Sequence, residues 1–185
     1  MRTALLFAFS ALLCACATPS LAPREYLDEQ TTATITVAAQ PLVFVAQNST
    51  ALARDAERNR DYVELYGIDV NRMGNHRQFI ALLQWTAPEH ASTAAPVLEL
   101  GLGSETLKLE ATTEDAKALG IAQPLAQAYS NASRWFYYPA DSATLKRIAG
   151  ARELAVSLLA ADQRLSYEMF SDGRAQLTEL TAVLP

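Results

Sequence analysis

The sequence predicts a mainly β domain, an antiparallel β-sandwich with a few short helices. Three observations carry that prediction: polar and apolar residues alternate in short runs, the runs come in pairs joined by turn residues, and strand follows strand instead of alternating with helices. An α+β arrangement, an antiparallel sheet covered by the C-terminal helix, is the alternative. Composition agrees with a packed domain. Of 185 residues, 50% are apolar and 19% charged, with 7 Gly, 8 Pro and 2 Cys, which excludes a disordered chain, a collagen-like repeat and a disulfide-stapled miniature. The formal charge of −5 argues against a nucleic-acid partner, because affinity for phosphate backbones comes from clustered Lys and Arg.

The elements follow in order. Residues 17–31 hold two prolines and few apolar anchors and read as a tether. Thr34-Ile35-Thr36-Val37 alternates and Leu42-Val43-Phe44-Val45 is a short apolar run, giving two strands or one interrupted at Pro41. Asn48 to Asp61 reads as a short helix capped by Asn48 or Ser49, or as a solvated loop. Tyr62 to Trp85 is the strongest local signal. Its arms flank Asn71-Arg72-Met73-Gly74-Asn75, so it is a hairpin with Gly74 or Asn75 at positive φ, and Gly67 marks a bulge in the first arm. The second arm, Phe79 to Trp85, is apolar on both parities, as a strand covered on both faces should be.

A second hairpin runs from Val97 to Leu102 and from Thr106 to Leu109 around Gly103-Ser104. Thr113 to Gly120 carries early acids and a terminal Gly, the marks of a one- or two-turn helix. After connecting sequence, Arg134 to Tyr138 is a strand stopped by Pro139, and Asp141 caps a helix over 142–149 with Leu145 and Ile148 on one face. Residues 153–158 and 164–169 form a third hairpin. Leu177, Leu180 and Val183 or Leu184 then recur at helical spacing, with a terminal strand as the competing reading.

The first residues describe a different object. Met1-Arg2-Thr3 precedes the apolar run Ala4 to Leu13, then Cys14-Ala15-Cys16-Ala17, the pattern of an export signal too short to span a bilayer. Leu13-Cys14-Ala15-Cys16 resembles the lipobox of bacterial lipoproteins, with Leu three places before the cysteine and a small residue just before it. The resemblance implies cleavage between Ala15 and Cys16, diacylglycerol on the Cys16 thiol and an acylated new N-terminus. Cys14 fits less well, because Leu13 would stand where the family has Gly, Ala or Ser. Ala17 stands where inner-membrane retention commonly uses Asp, so the family analogy points to the outer membrane, facing the periplasm. An anchor of several chains also makes physical sense, since one acyl chain binds only marginally. The chain then divides into a signal peptide (1–15), a lipidated Cys16 with its tether (16–31) and a single β-rich domain (32–185). Losing Arg2 takes the cations from 15 to 14 against 20 acids, a side-chain charge of −6, and leaves no thiol for a disulfide, a metal or catalysis.

Within the domain, chemistry-bearing motifs are sparse. His76 and His90 form no metal-binding spacing, and no Gly-x-Ser-x-Gly elbow presents a nucleophile, so no catalytic residue, metal or cofactor is assigned. Gly101-Leu102-Gly103-Ser104 lacks the Lys and helix start of a phosphate loop. Glu99 and Glu110 alternate with leucines, as outward residues of half-buried strands do. Trp135-Phe136-Tyr137-Tyr138 is the candidate binding surface: Trp135 and Tyr137 point one way and Phe136 and Tyr138 the other, leaving one pair available as amphipathic anchors. The functional expectation is a lipid-anchored binding or scaffolding domain with an envelope protein as partner. The alternatives are an anchored hydrolase with a His base, and an inhibitor or immunity-type protein presenting a contiguous acidic patch to a basic partner. Oligomeric state is not legible in the sequence.

Overall fold

The computed structural model describes residues 20–46, 61–85, 94–127, 133–160 and 163–185. The expected leader with Cys14 and Cys16, His90 and most of the Asn48–Asp61 segment lie outside them. In chain order the strands are β1 (Arg24–Asp28), β2 (Ala33–Val37), β3 (Leu42–Ala46), β4 (Tyr62–Arg72), β5 (Asn75–Trp85), β6 (Val97–Leu102), β7 (Glu105–Leu109), β8 (Arg134–Pro139), β9 (Ala155–Ala160) and β10 (Gln163–Ser171). The helices are α1 (Ala116–Leu119), α2 (Ser142–Gly150) and α3 (Arg174–Val183). The fold is therefore mainly antiparallel β with a few short helices.

The β4–β5 hairpin organises it. Its eleven residue pairs run from Tyr62 opposite Trp85 to Arg72 opposite Asn75, closed by Met73 (φ 54°) and Gly74 (φ 86°). Two consecutive positive φ values make the tight turn whose twist suits a hairpin, and the Asn71 side-chain oxygen accepts from the Gly74 N–H at 2.8 Å. Positive φ thus falls on Met73 and Gly74, not on Asn75. Along the other edge of β4, β2 pairs with Ile68–Asn71 and β3 with Tyr62–Leu65, and the Ala38 N–H donates to the Gly67 carbonyl between them. Residues 33–46 are one strand track interrupted at Pro41. From that break the sheet divides: β2 continues into β1, whereas β3 continues through β10, β9 and β6 to β7, and β5 carries β8 on its far edge.

Leu98 and Leu100 of β6 share one core with Leu82 of β5 and Tyr138 of β8, although many strands separate them along the sheet. The sheet must therefore fold over on itself, sandwich fashion, and the Tyr138 hydroxyl donates to the Pro96 carbonyl at 2.9 Å across that core. Leu145 and Ile148 of α2 and Leu177 and Leu180 of α3 close it. On the opposite face of β4 and β5, Tyr66, Ile68, Val70, Phe79 and Ala81 pack with Ile35, Val37, Leu119 and Ile121 in a second core. That double coverage is the physical reason the second hairpin arm is apolar on both parities.

Two sequence expectations are corrected. Gly67 is not a bulge, because the β4–β5 register is unbroken there. It is small because α3 presses on it: a Cβ would lie 2.4 Å from Leu177 Cδ1 and 2.9 Å from Leu180 Cδ2. The bulge sits in β10 instead, where the register with β3 shifts between Met169 and Ser171 around the exposed Phe170. Secondly, residues 24–28, expected within a flexible tether over 16–31, form a strand, since β1 pairs along its whole length with β2. The turn after β1 is fixed by Asp28, which is fully buried. One carboxylate oxygen accepts from the N–H groups of Gln30 and Thr31 (3.1 and 3.2 Å), the other from Ala122 and Gln123 (2.7 and 2.9 Å). Burial alone would push this carboxyl up, but the four backbone donors outweigh it and hold it below its ordinary value.

Candidate functional site

The parity read for the aromatic quartet holds. Trp135 and Tyr137 join the second core and Phe136 and Tyr138 the first. The quartet is nevertheless mostly core: Tyr137 and Tyr138 are buried, with burial pushing both hydroxyls far up, and Trp135 and Phe136 are half-buried. Trp135 stacks on Tyr137 with centroids 6.3 Å apart and leans on Tyr66 at 5.7 Å. Among the described residues an exposed aromatic ring lies elsewhere, on Phe170, which the β10 bulge turns outward against Tyr62 at 5.7 Å.

Beside this aromatic face sequence reasoning missed a buried acid. Glu64, two residues before Tyr66, accepts its hydroxyl proton at 2.6 Å. Burial pushes the Glu64 carboxyl up, and the Tyr66 bond draws it only partly back. Its partner is local and could have been read from the i, i+2 spacing on a strand, where both side chains share a face.

Three of the acids between Glu99 and Glu114 are paired with cations. Glu99 is buried, with Lys108 Nζ at 2.7 Å on one oxygen and the Arg164 guanidinium on the other. The Lys108 hydrogen bond, reinforced by the charge of Arg164, overcomes burial and holds Glu99 below its usual value. Glu105 lies against Arg147, and Glu114 grips Arg77 through two bonds of 2.6 and 3.1 Å. These three acids do not offer the uncompensated surface that an inhibitor of a basic partner needs.

Among the described residues, a cleft lies where β5 runs past the end of β8. Their ladder finishes with Phe79 opposite Pro139 and an Ala140 N–H to Gln78 carbonyl bond. Beyond it, an open cleft of 460 Å³ lies between the β5 edge and the first turn of α2, lined by Arg77, Gln78, Phe79, Pro139, Ala140, Asp141 and Thr144. Asp141 is the N-cap expected of it, accepting from the Thr144 N–H at 2.7 Å. Arg77 sits over the Phe79 ring at 5.3 Å with its charge shared with Glu114, so the wall it forms is apolar at the base and polar at the rim.

From this wall a polar chain runs to the hairpin end. Gln78 Nε2 donates to one oxygen of the buried Asp69 at 3.3 Å, and His76 Nδ1 lies 2.7 Å from the other. A carboxylate only accepts, so the bond sets the proton on Nδ1 and directs Nε2 away from Asp69. Such an imidazole can receive a proton or bind a polar group of a ligand. The register made this legible: a turn at 73–74 places Asp69 opposite Gln78, with His76 two residues along the same face. Among the described residues no group of three His, Cys, Asp or Glu side chains converges as metal ligands, and no helix is long and apolar enough to cross a membrane. No protein family, curated protein or solved structure matches this chain.

Proposed function

We propose that the chain is an outer-membrane lipoprotein, acylated on Cys16 after cleavage behind Ala15, whose β domain faces the periplasm and binds an envelope protein as a binding or scaffolding module. The observation that carries this is the lipobox Leu13-Cys14-Ala15-Cys16 closing an apolar run, with a strand of the folded domain only eight residues beyond Cys16. An anchor that close confines the domain to the membrane surface and raises its effective concentration towards partners there. The cleft between β5 and α2 supports the binding half of the reading, since an open strand edge beside polar rim groups can take an extended segment of a partner. The test is photocrosslinking from Thr144 in native envelopes. One reproducible partner, lost when Cys16→Ala releases the domain from the membrane, is the expected result; a partner captured equally by the released protein refutes the role of anchoring.

A second reading, a membrane-anchored hydrolase with His76 as base, is favoured by one contact, the Asp69–His76 bond that orients the imidazole. It requires turnover of an envelope ester or amide that His76→Ala abolishes while partner capture at Thr144 persists. Equal turnover by both proteins rejects it.

A further inference from the structure

We propose that the β1 edge is the face the domain turns to the bilayer, with Leu21 and Leu27 seated in the lipid interface beside the acylated Cys16. The proposal rests on the anchor reading above and adds an orientation to it. Arg24 follows Cys16 by eight residues, and an extended chain covers at most ~3.5 Å per residue, so the anchor and the first strand lie within ~28 Å of each other. That limit is firm only if β1 stays in the sheet. It does: all five of its residues pair with β2, and Asp28 ties the following turn to residues 122 and 123. The tether therefore cannot lengthen by peeling β1 away.

The strand held at this short distance is a terminal one, with β2 on one side. Leu21 is 45% exposed just ahead of it and Leu27 58% exposed near its far end, so apolar side chains bracket the edge. An exposed strand edge with one leucine on it and another just ahead of it invites association with other chains, and a lipid surface would cover both. The charges set how deep the contact goes. Arg24 and Glu25 are exposed on the same strand, and Glu29 follows in the turn. With acids present and a mature side-chain charge of −6, the strand rests among the headgroups, leucines inward, and does not enter the hydrocarbon.

The experiment uses the acylated protein. Cys14 leaves with the leader and Cys16 is blocked, so a cysteine introduced by Leu27→Cys, or by Ser104→Cys on the exposed β6–β7 turn beside α2, is the one free thiol for an environment-sensitive fluorophore. The labelled proteins are reconstituted in phosphatidylethanolamine–phosphatidylglycerol vesicles containing a spin-labelled lipid. Quenching at position 27 at least twofold stronger than at position 104 is expected. Equal quenching overturns the orientation while leaving the anchor intact, and a mature mass without acyl chains overturns both. A fluorophore at position 27 that escapes lipid quenching, with a photocrosslinker on the same Leu27→Cys thiol capturing an envelope protein in native envelopes, assigns the edge to that protein and overturns the lipid contact.

Discussion

Replacing Asp28 with Asn changes almost no volume and removes half of the acceptor capacity at a fully buried site. The remaining carbonyl oxygen can keep two of the four backbone donors; the amide NH₂ then faces the other two, donor against donor. The Thr31 donor is buried and the other three are partly so; a buried N–H left without an acceptor costs about 1–3 kcal/mol, so Asp28→Asn should destabilise the domain by up to roughly 2–6 kcal/mol. At a slope of about 2 kcal/mol per molar urea, the midpoint followed by Trp85 and Trp135 fluorescence falls by about 1–3 M with the slope unchanged. The pH dependence has a definite sign. The folded carboxyl titrates below the unfolded one, so its stabilisation is complete above the unfolded value, near ~4, and is lost as pH falls through the folded one. The gap between wild type and variant should be flat from about pH 7 to 5 and shrink below ~4. A midpoint shift under about 0.5 M, or a gap that widens in acid, refutes the role given to this carboxylate.

Other perturbations read different parts of the molecule. Gly67→Ala drives a Cβ into the flexible ends of Leu177 and Leu180 and should cost about 1–3 kcal/mol by urea melting. Gly173→Ala meets the Pro41 carbonyl oxygen at 2.3 Å, backbone that cannot swing aside, so its loss should exceed that of Gly67→Ala; the reverse order would contradict the packing of α3. Met73→Asn places a residue that tolerates positive φ at a fully exposed turn position and should raise stability by about 0.5–1 kcal/mol in thermal melts. Lys108→Met with Arg164→Met strips both cations from buried Glu99, which should then titrate above its ordinary value in an NMR pH series; an unmoved value would mean the pair does not set it.

What was legible in the sequence was local. The hairpin around Met73-Gly74, the turn at Gly103-Ser104 and the Asp141 cap are each decided by residues within a few positions of one another. β1 was missed because Arg-Glu-Tyr-Leu-Asp is an edge strand with little to bury, so it carries no apolar run. Asp28 was invisible for a related reason: two of its donors come from residues 122 and 123, which only the folded chain brings near. Glu99 alternates with leucines and does point outward, but Lys108 and Arg164 lie over it, and covering by long side chains from β7 and β10 has no local signature. The parity of Trp135 to Tyr138 was readable from a period of two. Their depth was not, because it depends on which layers fold over β8. Asp69 and His76, by contrast, could have been paired from the turn position alone.

The proposed membrane location, the short tether and the orientation of β1 all follow from acylation of Cys16. The most direct measurement is the mass and N-terminal residue of the mature protein purified from bacterial membranes. The expected result is a chain of 170 residues beginning at Cys16 and carrying a diacylglycerol and an amide-linked acyl chain, with the lipid absent when Cys16→Ala is expressed. A mature chain that begins elsewhere, or that begins at Cys16 with no lipid mass, would contradict it.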